Sequence, residues 1–256
     1  MLETISSLWA KPTIPPKLHE VYWLQQTESD VPANDGWLSA SEIAYLNGTR
    51  FAKRRMDWRL GRWTAKQAIS AYLSREKNFK KLTEIEIRPD LLGAPEAFIT
   101  NHSAGVTVSI SHRGGVAVCA AAAADVELGC DLELIEPHSA AFIGDYFTEE
   151  EQELIALTPV GDRAQLVALL WSAKESALKA LRIGLRLNMR QVVVKIDNEP
   201  KEAASYLGLN DTNWRSLQVH CTSNRSYTGW WQAQEHLLRT LVAAPPLGPP
   251  KLLAVA

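Results

Sequence analysis

The spacing of apolar residues changes along the chain, and each change marks an element. Val106, Val108 and Ile110 alternate with Thr107, Ser109 and Ser111, the two-residue period of a strand with one buried face. Arg113-Gly114-Gly115 then reads as a turn and residues 116–122 as a returning apolar strand, so a hairpin is predicted with His112 at its mouth. The period lengthens to that of a helix over 54–73, where Met56, Leu60, Trp63 and Ala71 form an apolar stripe. Arg55, Arg59, Arg62 and Lys66 recur beside it at steps of four, three and four, predicting a basic ridge. A short helix is predicted over 39–46, capped by Ser39 or Ser41. Thr148 with Glu151 three residues later is a capping box opening a helix to about 157, and Glu149 and Glu150 in its first turn suit the positive helix end, so these glutamates are read as structural. A longer helix follows over 162–182, with Leu166, Leu169, Leu170, Ala173, Ala177 and Leu181 on its core face and Gly184 as its stop. Residues 191–196, 217–221, 227–234 and 237–242 read as an antiparallel meander. At the ends, an apolar run at 21–24 reads as a strand among prolines 12, 15, 16 and 32, and the proline-rich residues 245–250 read as a mobile tail.

Composition narrows what these elements can do. The chain has 256 residues, 46% hydrophobic and 22% charged, enough for one large domain or two small halves with a substantial core. A formal net charge of -2 argues against nucleic acid as the main partner, so any site for a polyanion is local. The three cysteines, Cys119, Cys130 and Cys221, form no C-x-x-C pair, which speaks against a zinc site or a disulfide framework and fits a reducing cytoplasm. No apolar stretch reaches membrane-spanning length, so no membrane role is expected.

Two segments carry chemistry. In Gly129-Cys130-Asp131-Leu132-Glu133, a strand places Asp131 and Glu133 on one face and Leu132 on the other. In Trp171-Ser172-Ala173-Lys174-Glu175-Ser176-Ala177-Leu178-Lys179, a helix places Glu175 and Lys179 on one face a turn apart, where the bland alternative is a surface ion pair. If strand and helix meet, Asp131, Glu133 and Glu175 converge and repel one another unless a cation joins them. Such an all-oxygen set suits a hard ion such as Mg2+ shared with a substrate phosphate.

With Ser109-Ile110-Ser111-His112 ahead of them, these segments resemble the 4′-phosphopantetheinyl transferases, in that family's order and at plausible distances, and specifically its larger, surfactin-synthetase-activating type. The resemblance implies an α+β fold of two similar halves packed as an intramolecular pseudo-dimer: residues 1–125 on the coenzyme A nucleotide side, 126–243 with the metal and catalytic motifs, then a mobile tail over 244–256. It implies transfer of 4′-phosphopantetheine from coenzyme A to a serine of an apo acyl, peptidyl or aryl carrier protein, with release of adenosine 3′,5′-bisphosphate, by a cytoplasmic monomer. Mg2+, replaceable by Mn2+, is then assigned to Asp131, Glu133 and Glu175. Coenzyme A is assigned to Ser111, His112 (near the 3′-phosphate) and Lys179, with Arg59 and Arg62 chosen from the basic ridge. Glu175 is the candidate base, directly or through water, and Lys179 the cation beside the phosphates. Where relatives commonly carry Gly-Lys-Pro, this chain has Gly93-Ala94-Pro95, so that nucleotide contact is lost or comes from elsewhere. Two other classes stand beside this reading. A metal-dependent phosphoesterase or nuclease would use the same acids without a carrier, and a non-catalytic binder of coenzyme A or carrier protein would not need them all.

Overall fold

The structure is a computed structural model that describes residues 18–75, 80–183, 187–196, 213–221 and 224–255. Prolines 12, 15 and 16 and the expected helix stop at Gly184 lie outside them. Mixed helix and sheet is the result, an α+β fold.

Strand β1 (Tyr22–Thr27) leads to helices α1 (Ala40–Gly48) and α2 (Ala52–Ser74). The short strands β2 (Ile85–Pro89), β3 (Pro95–Ile99) and β4 (His102–Ser103) follow, then the expected hairpin of β5 (Val106–Arg113) and β6 (Val116–Ala123). Strand β7 (Glu127–Leu134) opens the second run, through α3 (Ala140–Tyr146), α4 (Glu149–Leu157) and α5 (Val160–Ala180). The expected meander completes it as β8 (Val192–Ile196), β9 (Arg215–Cys221), β10 (Arg225–Gln234) and β11 (Leu237–Ala244), with β12 (Lys251–Leu252) at the end. The sheets run β12-β1-β6-β5, β7-β11-β10-β9-β8 and β2-β3-β4. Helix α2 buries Leu60, Ala65, Ala68, Ile69 and Leu73, four of which join one core with β1, β5 and β6, while α5 buries its leucine–alanine face in a second core with β8 to β11. A third core, with Val118, Ala120, Leu128, Leu132 and Leu241, lies where β6 meets β7 and β11.

The same local device fixes both helix pairs. Ser39 caps α1 in a capping box with Glu42, and Thr148 caps α4 in a box with Glu151. Each glutamate is buried and receives an equally buried lysine from the next helix: Lys66 to Glu42 at 2.5 Å and Lys174 to Glu151 at 2.7 Å. Each lysine also donates to two main-chain carbonyls, Trp37 and Leu82 for Lys66, Met189 and Val192 for Lys174. Each glutamate accepts from the strand beyond, at Ile87 N and Val194 N. The charges are thus paired and hydrogen-bonded, the condition under which buried ions are tolerated.

Three expectations change. The ridge of Arg55, Arg59, Arg62 and Lys66, from which Arg59 and Arg62 were expected to reach coenzyme A, is covered by α1 and the 31–38 segment. Arg55 donates to Leu46 O, Arg59 to Pro32 O at 2.5 Å with Asp35 3.0 Å from its Nε, and Arg62 lies against Glu42 and the Trp58 ring. Met56, placed on the core stripe, is 48% exposed, since the buried stripe runs through Leu60, Ala65 and Ile69. The tail expected to be mobile is packed. Leu247 and Leu253 are buried in two of the cores, and Lys251 and Leu252 pair in parallel with Tyr22 and Trp23. Among the described residues no helix is long and apolar enough to cross a membrane, and the three cysteines are buried thiols.

Candidate active site at the junction of β5, β7 and α5

Gly129 decides how closely strand and helix approach. A Cβ there would fall 1.8 Å from Ser176 O and 2.7 Å from Ala180 N, so only glycine lets α5 lie directly on β7. Ser172 and Ser176 on the same helix meet the Thr240 hydroxyl of β11 at 2.8 and 2.7 Å, which fixes the helix along its length. This contact brings Lys179 over Asp131.

Lys179 Nζ donates to Asp131 Oδ1 at 2.7 Å, Ser111 Oγ at 3.0 Å and Cys130 O at 3.1 Å, so all three of its protons are used. Ser111 Oγ donates to the same Asp131 oxygen at 2.8 Å. One residue pair further along, Cys130 N donates to Ser109 Oγ at 2.9 Å, which holds β5 to β7. Burial alone would push the Lys179 ammonium down, but the Asp131 charge and hydrogen bond, with Cys130 and Glu175, together outweigh it and the lysine is raised, hence firmly protonated. Its partner is Asp131; no ion pair joins it to Glu175.

The carboxylates are coupled. Glu133 is pushed up to about 7, first by burial and then by Asp131, against the opposing pull of Arg113. Its oxygens face Trp171 Nε1 at 3.2 Å and Arg113 Nε at 3.5 Å. Glu175 is also raised, by burial and by Asp131, with Lys179 opposing. Asp131 Oδ2 is buried and accepts no hydrogen bond among the described residues. Among the described residues no three His, Cys, Asp or Glu side chains form a ready cage for a metal. The donor set nevertheless suits a hard divalent cation: one buried carboxylate oxygen lacks a partner among the described residues, and the two neighbouring acids are both raised, by burial and by the Asp131 charge.

His112 leaves the hairpin on the other face of β5, against α2, where a Cβ on Gly61 would lie 3.9 Å from its ring. Burial lowers its pKa first; Asp57 opposes this, while Lys179 and Lys53 add to it. It shares a groove with Tyr45, Lys53, Arg54 and Trp58. Beside Lys179, a cavity of about 380 Å³ opens between the 92–95 turn, β5, the start of β7 and the end of α5. The structure therefore gathers Ser111, Asp131 and Lys179 in direct contact and sets Glu133, Glu175 and His112 around them, whereas Arg59 and Arg62 are engaged with the 32–35 loop and Glu42. Two partners were not anticipated, Arg113 and Trp171. Trp171 opens one quoted motif and Arg113 directly follows another, but nothing in their spacing says that they meet Glu133.

Comparison with known proteins bears on this junction. Residues 127–234 match the model of the 4′-phosphopantetheinyl transferase superfamily. That stretch, less than half of the chain, holds Asp131, Glu133, Glu175 and Lys179 and excludes Ser111 and His112. No curated protein matches the chain. Among solved structures, a holo-(acyl-carrier-protein) synthase from Bacillus anthracis str. Ames in complex with CoA (3′,5′-ADP) is similar at 20% identity, with a TM-score of 0.34, over 41% of this chain and 96% of that one. A holo-[acyl-carrier-protein] synthase from Helicobacter pylori in complex with coenzyme A is similar at 17% identity, with a TM-score of 0.32, over 41% of this chain and 99% of that one.

Proposed function

We propose that this chain transfers the 4′-phosphopantetheine arm of coenzyme A to a serine hydroxyl of an apo carrier protein and releases adenosine 3′,5′-bisphosphate. The observation that carries the reading is the contact of Lys179 with Asp131 and Ser111, inside a three-carboxylate neighbourhood within the stretch matching the superfamily. The repeated succession of strand, capped helix, lysine-bearing helix and meander supports two similar halves packed as an intramolecular pseudo-dimer, divided near residue 125, which makes a monomer the working state.

Asp131, Glu133 and Glu175 would hold Mg2+, which when bound neutralises and orients the pyrophosphate. In the step itself the carrier serine oxygen forms a bond to the pantetheine-bearing phosphorus as the bond to the bridging oxygen breaks. The electron pair leaves with the adenosine bisphosphate. Glu175, raised by burial and unengaged by any ion pair within 4 Å among the described residues, takes the serine proton. Lys179 stays charged and faces the oxygens on which negative charge develops, with Ser111 and Asp131 fixing its ammonium. The adenine end of the nucleotide occupies the 380 Å³ cavity, and its 3′-phosphate reaches towards His112.

Intact-mass analysis tests this. Apo carrier protein incubated with the chain, coenzyme A and Mg2+ gains one phosphopantetheine, and Asp131→Ala abolishes the gain. Release of phosphate or nucleotide with no carrier present would instead identify a phosphoesterase.

A further inference from the structure

The cavity beside Lys179 is walled largely by apolar groups, among them Leu92, Pro95, Val108 and Leu178, and Ala94 brings to it only a methyl. Two cations line it, Lys179 and Arg182, and the three protons of Lys179 are already used. Arg182 follows the end of α5 with φ at 57°, in the left-handed region that glycine enters without strain and arginine does not. Its side chain crosses to the 90–95 turn, where Nε donates to Asp90 Oδ2 at 3.1 Å and Nη2 to Glu96 Oε1 at 3.2 Å. Asp90 in turn accepts from Leu92 N and Ala94 N, both at 2.8 Å, so one carboxylate fixes the cavity rim and the arginine together. The guanidinium is thereby fixed between Asp90 and Glu96, and its Nη1 edge is not engaged among the described residues. A planar cation with spare N–H donors, set over an apolar slot, fits an aromatic heterocycle with ring-nitrogen acceptors. The slot's other charges, Asp125 and Glu127, are negative and disfavour a phosphate inside it.

We propose that Arg182 is a substrate-binding residue, gripping the adenine of the nucleotide through the in-plane N–H donors of its remaining edge, a role that rests on the coenzyme A reading above. Asp90 and Glu96 are the residues that position it. The test uses the full chain with adenosine 3′,5′-bisphosphate, titrated calorimetrically, and coenzyme A kinetics alongside. Arg182→Gly removes the side chain while easing the backbone, so its Tm should equal or exceed that of the wild type. The bisphosphate Kd and the KM for coenzyme A should each rise about tenfold, kcat and the KM for the carrier should hold, and Arg182→Lys, which lacks the flat fork, should recover little of the loss. A wild type that binds the bisphosphate and loads a carrier beside an Arg182→Gly variant with unchanged Kd and KM overturns the role of Arg182 alone. A wild type that does neither overturns the proposed function and this role with it.

Discussion

At the level of single side chains, the proposed chemistry rests on Lys179 and the three acids around it. On the proposed reading, replacing Lys179 with alanine removes the cation assigned to the phosphates, and it leaves Asp131 buried without its ion pair. Transfer to a carrier should fall by about 100-fold or more, read by intact mass at saturating coenzyme A. The acids also predict how stability depends on pH. The Glu133 carboxyl rises from 4.5 in the open chain to about 7 in the fold, so the folded state holds a proton that the unfolded state has already released. Its contribution is whole below about 4.5 and is lost as pH climbs through 7, and Glu175 shifts the same way. The Tm of metal-free protein should therefore decline between pH 5 and 8, and Mg2+ should raise it more at pH 8 than at pH 5. A Glu133→Gln variant with an unchanged pH slope would contradict this.

Two contacts between elements hold the site in place. The Gly129 approach leaves no room for a methyl beside Ser176 O, and main chain cannot swing aside as a side-chain tip can. Gly129→Ala should cost about 3 kcal/mol or more in urea unfolding and should reduce transfer as well, because α5 carries Glu175 and Lys179. The buried Lys174–Glu151 pair gives a complementary test. Lys174→Met alone leaves Glu151 charged and buried, at a cost of about 3–5 kcal/mol. Adding Glu151→Gln should return much of that, since an amide can still accept from Val194 N without an unpaired charge. A double variant no more stable than the single one would show that the ion pair itself is needed.

At the scale of the molecule, the last dozen residues close the structure. Deleting 245–256 exposes the cores that Leu247 and Leu253 cover and strips β1 of its parallel neighbour. Burial of two leucines is worth about 3–6 kcal/mol, so the truncated chain should melt well below the full one. Ser111 on β5 and Asp131 on β7 stand on opposite sides of the proposed division, and the chain expressed as separate pieces 1–125 and 126–256 should load no carrier until the two are combined.

The hairpin, the capping box at Thr148, α5 and the meander were legible along the chain because period and cap chemistry are local, and so was the shared face of Asp131 and Glu133, which follows from strand geometry alone. The small sheet of β2, β3 and β4 was not, since its strands are too short for a period to declare itself. The fate of the charges was not legible either. Arg59, Arg62 and Lys66 recur as a surface ridge would, yet α1 and the 31–38 segment lie over them, and a lysine that reads as solvated is fully buried against Glu42. Which acid Lys179 meets depends on how far α5 descends onto β7, a distance set by Gly129 across 47 residues of chain. Period determines which way a side chain points from its own element; only packing determines what it finds there.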